Sequence, residues 1–328
     1  MKNTYFTISI KTVKKSENML KWSVVIKKGV FMGNLNFKVD KNKCISCGRC
    51  ITDCSCDVLE RDENGLPKVI DGAEERCMKC QHCFAICPTG AISIFGKNPD
   101  KSLKTFKIQS PEAVLNLIQS RKSIRKFKQE NLDRNTLKEL KNMLPWIPTG
   151  CNNHSLAFTF IEDTESMKKF KTLTYQKIEE MIAQNPNTES AQQMKAMLLE
   201  PYKAGRDRVF RNAPHALIVS SPIDAPCADI DPVIALSYFE LYAQSLGVGT
   251  LWCGLLFRCW KFAPAIIDEL KLPNGYKPVY AMLFGVPDIK YERITQPEKY
   301  KIMSYGTILT KFKSFVKDCE KSLLNFVK

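Results

Sequence analysis

Cys44-Ile45-Ser46-Cys47-Gly48-Arg49-Cys50-Ile51-Thr52-Asp53-Cys54 and Cys77-Met78-Lys79-Cys80-Gln81-His82-Cys83-Phe84-Ala85-Ile86-Cys87-Pro88 decide how this chain of 328 residues is read. Both stretches have the spacing C-x2-C-x2-C-x3-C, and nine of the fourteen cysteines fall between positions 44 and 87. Thiolates so spaced on a tight loop reach neighbouring irons of one four-iron, four-sulfur cube. The fourth cysteine of each run starts a helical turn pointing away and serves the other cube. The spacing therefore predicts two [4Fe-4S] clusters, one on Cys44, Cys47, Cys50 and Cys87, the other on Cys77, Cys80, Cys83 and Cys54. Zinc would need only four ligands and would leave the x2-C-x3-C continuation unexplained. Structural disulfides imply secretion, and residues 1–31 show no compact apolar core or small-residue cleavage site of a secretory signal. Cys56 is left over and reads as a small buried residue.

Over residues 36–97 the chain resembles the dicluster bacterial-type ferredoxin family. Ser55 stands where that family usually has proline after the fourth cysteine, which loosens the turn without removing a ligand. Exposed cubes decay in air and their thiols must stay reduced. The expectation is an oxygen-sensitive, cytoplasmic protein.

The formal charge of +15 would suit nucleic acid or an anionic membrane. Its distribution argues against both. Residues 1–31 hold seven lysines and one glutamate, and residues 297–328 hold seven lysines against Glu298, Asp318 and Glu320. The basic character belongs to the ends, so neither nucleic acid nor membrane is expected as a partner. No apolar run approaches the roughly 20 residues of a spanning helix. Residues 1–35 read as a basic tail outside the fold, and Lys28-Gly29-Val30-Phe31 before Met32 fits a true start at Met32. The apolar stripe Ile308, Phe312, Phe315, Val316, Cys319, Leu323 and Phe326 reads as a packing face of a C-terminal helix.

From about residue 105 cysteines thin out and helix signals begin. Ser110-Pro111-Glu112 supplies a cap, a first-turn proline and an acid at the positive end of a helix. Its Val114, Leu115 and Ile118 share one face. Asp133 caps a second helix carrying Leu137, Leu140 and Leu144. Residues 156–161, 216–220 and 279–284 read as strands, and residues 230–246 as a long apolar helix, stopped by Gly247 and buried centrally. Long helices with short strands and no regular β-α alternation indicate an α+β fold. The organisation is a tail (1–35), a cluster domain (36–97) and a larger α+β domain (105–328).

Arg121-Lys122-Ser123-Ile124-Arg125 gathers cations around a hydroxyl just past a helix, which suits a phosphate or sits solvated in a basic loop. Pro148-Thr149-Gly150-Cys151-Asn152-Asn153-His154 is a polar turn leading into a strand. Gly247-Val248-Gly249 follows a helix, and Trp252 stands where a third glycine belongs, so it is no Rossmann dinucleotide loop. With Phe210-Arg211-Asn212-Ala213-Pro214, Gly285-Val286-Pro287 and Arg293, these pieces in this order resemble the FMN-dependent nitroreductase family over roughly residues 111–294. The whole chain looks like a ferredoxin-fused nitroreductase, an arrangement known from anaerobes.

The resemblance implies that Arg121, Lys122 and Ser123 bind the FMN ribityl chain and phosphate, and that Arg125 lies by the pyrimidine edge. It implies a homodimer in which Thr149 and Asn152 come from the other subunit. The backbone N–H of Cys253 or Gly254 would face the flavin N5, and Arg293 would close over the phosphate, with Lys290 a weaker candidate. Gly150 and His154 replace a frequent serine and glutamine. Clusters pass electrons singly and flavin takes one or two, so an oxidoreductase acting on a small-molecule acceptor is expected: a nitroaromatic, a quinone or an activated alkene. The donor is ferredoxin or NAD(P)H. Two other readings remain: a non-enzymatic electron carrier or redox sensor, and an NAD(P)H-driven flavin reductase using the clusters as an exit.

Overall fold

The computed structural model describes residues 7–11, 23–27, 34–105, 110–298 and 300–305. Within the basic N-terminal segment, β1 (Thr7–Lys11) and β2 (Ser23–Lys27) pair antiparallel, with Thr7 opposite Lys27. The cysteine segment follows, with β3 (Lys38–Val39), α1 (Arg49–Thr52), β4 (Leu59–Arg61), β5 (Pro67–Val69), α2 (Ala73–Arg76), α3 (His82–Ala85) and β6 (Ile92–Ser93). Strand β3 pairs with β6 and β4 with β5, both antiparallel. The first pairing brings the two ends of the segment together. Its core is only Leu35, Cys50, Val58, Leu59, Ala73, Ile92 and Ile94, with partly buried cysteines packed around them. So small an apolar core needs metal or disulfides to hold it.

Next come α4 (Pro111–Ser120), α5 (Arg134–Asn142), β7 (Ala157–Ile161), α6 (Thr164–Gln184), α7 (Glu189–Met194) and α8 (Glu200–Lys203). Then β8 (His215–Pro222), α9 (Asp231–Ser245), β9 (Gly249–Trp252), α10 (Gly254–Phe262), α11 (Ala265–Asp268) and β10 (Tyr276–Gly285) complete the body. The caps work as the sequence indicates. Ser110 accepts from Ala113 N–H at 3.2 Å, and Asp133 from the N–H groups of Asn135 and Thr136 at 2.9 Å each.

A strand covered on both faces carries apolar residues without alternation, and β8 is buried at all eight positions. It lies inside a four-stranded sheet ordered β7-β8-β10-β9, antiparallel throughout. Side chains alternate between the faces with the period of two that a strand imposes. Ala216, Ile218, Ala281 and Leu283 join one core with residues of α6, α7, α10 and α11. Leu217, Val219, Met282 and Phe284 join the other with α5 and α9. The result is a sheet between two helical layers, an α+β architecture. One expectation is corrected here. Helix α9 is not buried all round: Ala235, Leu236, Phe239 and Ala243 face the sheet, while Val233 and Tyr238 are exposed. A helix packed on one side of a sheet covers only the stripe that meets it.

The chain divides after Lys290, and the part beyond is described by itself. Residues 291–298 and 300–305 are exposed, Arg293 among them. The stripe expected between Ile308 and Phe326 lies outside the described residues. Among the described residues no helix is long and apolar enough to cross a membrane.

Asp207, buried beneath the loop that precedes β8, accepts from Tyr175 Oη at 3.0 Å and from the N–H groups of Phe210 (2.9 Å) and Asn212 (3.0 Å). Lys171 Nζ lies 3.7 Å away. Asp207→Ala leaves three donors without their acceptor, and the expected loss is about 3 kcal/mol. Thermal unfolding followed by circular dichroism checks it; an unchanged midpoint would show that the carboxylate does not hold this loop.

Candidate functional site

The two cysteine runs have one backbone. Ser46 and Gly48 in the first, Lys79 and Gln81 in the second, occupy the same positions between cysteines, and all four have positive φ (50°, 71°, 59° and 61°). Successive N–H groups in such left-handed turns form a concavity that receives anionic sulfur or oxygen. Three of the four are not glycine, so local strain is accepted twice at the same place, as at functional loops.

Two cavities sit at these loops. One is lined by Cys44, Cys47, Cys50 and Cys87, the other by Cys54, Cys77, Cys80 and Cys83 together with Cys56. The thiols thus come together in the crossed grouping read from the spacing, with Cys56 as an addition that the sequence reading set aside. Burial pushes the Cys50 and Cys77 thiols up, and Cys83 up to about 12. For Cys87 burial also acts upward, but hydrogen bonds outweigh it and its thiol is held below the ordinary value. Ala91 N–H donates to its Sγ at 3.2 Å, and the Thr89 hydroxyl lies 3.7 Å away. Buried thiols that resist ionisation become ligands where a cation offsets the thiolate charge, so the donor set fits a soft metal cluster.

A second constellation lies at the edge of the sheet. Ile124 N–H donates to Thr250 O at 2.8 Å, Lys128 N–H to Val286 O at 2.9 Å and Asp288 N–H to Lys126 O at 3.0 Å. The cationic segment is thereby threaded between β9 and the turn after β10. Three motifs far apart in sequence, at 121–127, 247–254 and 285–287, become neighbours. Gly249 is required there, because a Cβ would lie 2.7 Å from Ile124 Cγ1 and 2.8 Å from Pro287 Cγ.

Glu240 of α9 is buried and holds this corner. Its carboxylate accepts from Arg121 Nη1 (3.2 Å), Thr250 Oγ1 (3.3 Å) and Trp252 Nε1 (3.0 Å). Lys122 Nζ turns back to the last carbonyls of α4, at 3.0 Å from Gln119 O, and so caps that helix. Arg125 is exposed and, with Arg206, Arg208 and Arg211, lines one cavity. The last three arginines escaped the sequence reading, although they crowd into six residues. Of the two N–H groups assigned toward a flavin, that of Cys253 is already taken by Ala281 O at 2.9 Å. Gly254 opens α10, where the first N–H groups find no partner within the helix, so Gly254 is the better placed donor. Cys253 itself is buried, and burial pushes its thiol up to about 12.

The 148–154 turn is placed elsewhere, against the second cysteine run. Asn152 Nδ2 donates to Met78 O at 3.1 Å, its Oδ1 meets His154 Nε2 at 2.8 Å, and Thr149 Oγ1 accepts from His154 N–H at 2.9 Å. His154 thus braces the turn. Cys151, Asn152 and His154 all have positive φ. The Gly150 N–H donates to Asp231 Oδ1 at 3.0 Å.

A family model described as the nitroreductase family matches residues 118–286, and one described as a 4Fe-4S dicluster domain matches residues 35–109. A ferredoxin of Pyrobaculum islandicum is 44% identical over 55 residues, which are 17% of this chain and 49% of that protein. An uncharacterized ferredoxin of Methanocaldococcus jannaschii is 43% identical over 65 residues, 19% of this chain and 82% of that one. The chain thus spans about half the length of the first relative and most of the second. Among solved structures, an FMN-bound nitroreductase of Desulfitobacterium hafniense is 22% identical, covering 60% of this chain and 99% of that chain at a TM-score of 0.46. An FMN-bound nitroreductase of Bacteroides fragilis is 18% identical, covering 58% and 98% at a TM-score of 0.45.

Gly150 has a local explanation. A Cβ there would lie 2.4 Å from Cys227 Sγ and 2.9 Å from its Cβ. Gly150→Ser is expected to cost about 1–3 kcal/mol by overpacking, and adding Cys227→Ala, which removes the sulfur, to recover about half or more. A double-mutant cycle on thermal midpoints measures this; strict additivity would mean that the sulfur does not exclude the side chain.

Proposed function

This chain belongs to the nitroreductase family and carries a ferredoxin-type 4Fe-4S dicluster domain ahead of it, which makes it an oxidoreductase; on that premise we propose that electrons enter through two [4Fe-4S] clusters and pass by way of FMN to a small reducible acceptor. The observation that carries the reading is the hydrogen bond from Asn152 to Met78 O. It joins the loop between two candidate cluster ligands, Cys77 and Cys80, to the turn that the family resemblance assigns to a flavin. In a homodimer with Thr149 and Asn152 reaching the flavin of the other subunit, the route crosses the subunit interface. Exposed apolar side chains support such an interface: Val114, Leu115 and Ile118 on α4 and Val233 and Tyr238 on α9.

Cys44, Cys47, Cys50 and Cys87 would hold one cluster and Cys54, Cys77, Cys80 and Cys83 the other. Arg121, Lys122, Ser123 and Arg125 would hold FMN, with the Gly254 N–H toward its ring. Bound FMN supplies a centre that accepts electrons singly and releases them in pairs. The protein's own groups prepare that centre. Glu240 fixes one guanidinium nitrogen of Arg121, so the side chain loses less freedom when an anion arrives. The start of α10, two residues after Trp252, adds a positive helix end. Arg125, Arg206, Arg208 and Arg211 add a positive field that favours added electron density and draws electron-poor or anionic acceptors. Nitroaromatics, quinones and activated alkenes fit this description, and reduced ferredoxin or NAD(P)H is the donor.

Two measurements test the reading. Arg121→Ala combined with Ser123→Ala is expected to release FMN while iron content and circular dichroism stay at wild-type values; stoichiometric flavin in that variant would sink the assignment of these residues. Cys80→Ser is expected to slow flavin reduction by reduced ferredoxin at least tenfold and to spare turnover with a small chemical reductant that reaches flavin directly. Equal rates with both donors would mean that the clusters lie off the path, and full turnover with NAD(P)H alone would make them an exit.

A further inference from the structure

A [4Fe-4S] cluster takes four thiolates, yet five line the second cavity, Cys56 being the fifth. The first cavity has four. Cys56 is half-buried like Cys54, whereas Ser55 between them faces solvent. The three residues sit on one turn, closed by Asp57 N–H donating to Cys54 O at 3.0 Å. From the opposite side, Arg76 Nη2 donates to Cys56 O at 2.8 Å. Arg76 immediately precedes Cys77, so Cys56 is tethered beside the first thiol of the second run.

The sequence permits movement here. A proline at 55 would lock its own φ and confine residue 54 to extended backbone. Ser55 leaves both free to rotate, so the turn can present either flanking sulfur to the cavity.

We propose that Cys56 is a reserve ligand of the second cluster, able to take the place of Cys54 on one iron. The proposal rests on the two-cluster reading above. In the exchange the Fe–Sγ bond of Cys54 breaks and that of Cys56 forms. The proton leaving the Cys56 thiol is matched by one taken up from solvent by the Cys54 sulfur. Ligand count, cluster charge and iron oxidation states are unchanged, so no redox partner is needed.

Iron and acid-labile sulfide per chain, with electron paramagnetic resonance of the reduced protein, test this on full-length, anaerobically purified protein. Wild type is expected to hold about eight irons, as do Cys54→Ala and Cys56→Ala, with the spectrum altered only in Cys54→Ala. The double variant and Cys80→Ala, the control for loss of a ligand with no reserve, should hold about four, with the other cluster's signal intact. A Cys54→Ala protein already reduced to about four irons overturns the proposal. So does a double variant that keeps about eight. Loss of iron in Cys56→Ala alone would make Cys56 the resident ligand rather than the reserve and equally overturns it. Fewer than about eight irons in the wild type would instead overturn the two-cluster reading, and the proposal with it.

Discussion

A carboxylate that is buried must be paired, because an isolated charge out of water costs several kcal/mol. Glu240 meets that demand with Arg121, Thr250 and Trp252, and much of the second domain's geometry depends on it. The three partners come from the end of α4 and from β9, while Glu240 itself is on α9. Satisfying one charge therefore sets the position of the cationic segment relative to the sheet edge. The backbone bonds from Ile124 to Thr250 and from Lys128 to Val286 then extend the same registration along the segment. Gly249 admits it because no other residue leaves room for Ile124 and Pro287.

The cysteine segment obeys a different constraint. Its apolar core is too small to be self-sufficient, and burial pushes the Cys50, Cys77 and Cys83 thiols up. Both shortfalls are met by the same event, the binding of metal, which links folding to ligation. Attachment to a larger body keeps the segment beside it at high effective concentration. The Asn152–Met78 hydrogen bond shows that the attachment is more than a tether, since a turn of the second domain is docked on a loop of the first.

Parts of this were legible from residues alone. Ser110 and Asp133 announced their helices, because a cap is a local interaction between neighbours in sequence. Apolar runs announced β8 and β10, because a strand covered on both faces has few positions for polar side chains. Other elements were not read. Helix α6 begins at an Asp163 cap that accepts from Ser166 N–H at 2.7 Å, a signal that was present but unused. Strand β9 hides in a glycine-rich stretch whose pairing with β10 depends on a partner thirty residues away. The outer face of α9 looked like core because its composition is apolar all round, and composition does not say which side meets the sheet.

The repeated C-x2-C-x2-C-x3-C spacing determined by itself that this chain carries two like runs of thiols on loops of one geometry. The reason is that the loop geometry of each run is short-range, fixed by a few left-handed residues between the cysteines. The sequence likewise determined that the second domain is α+β and belongs beside flavin-dependent reductases in pattern. Only the tertiary structure decided that Cys56 joins the second grouping, that the Cys253 N–H is occupied while Gly254 opens a helix, and that Arg206, Arg208 and Arg211 face the same cavity as Arg125. Each of these depends on which residues a long-range fold brings into contact. Spacing along the chain carries no information about that once two segments are joined only through a sheet.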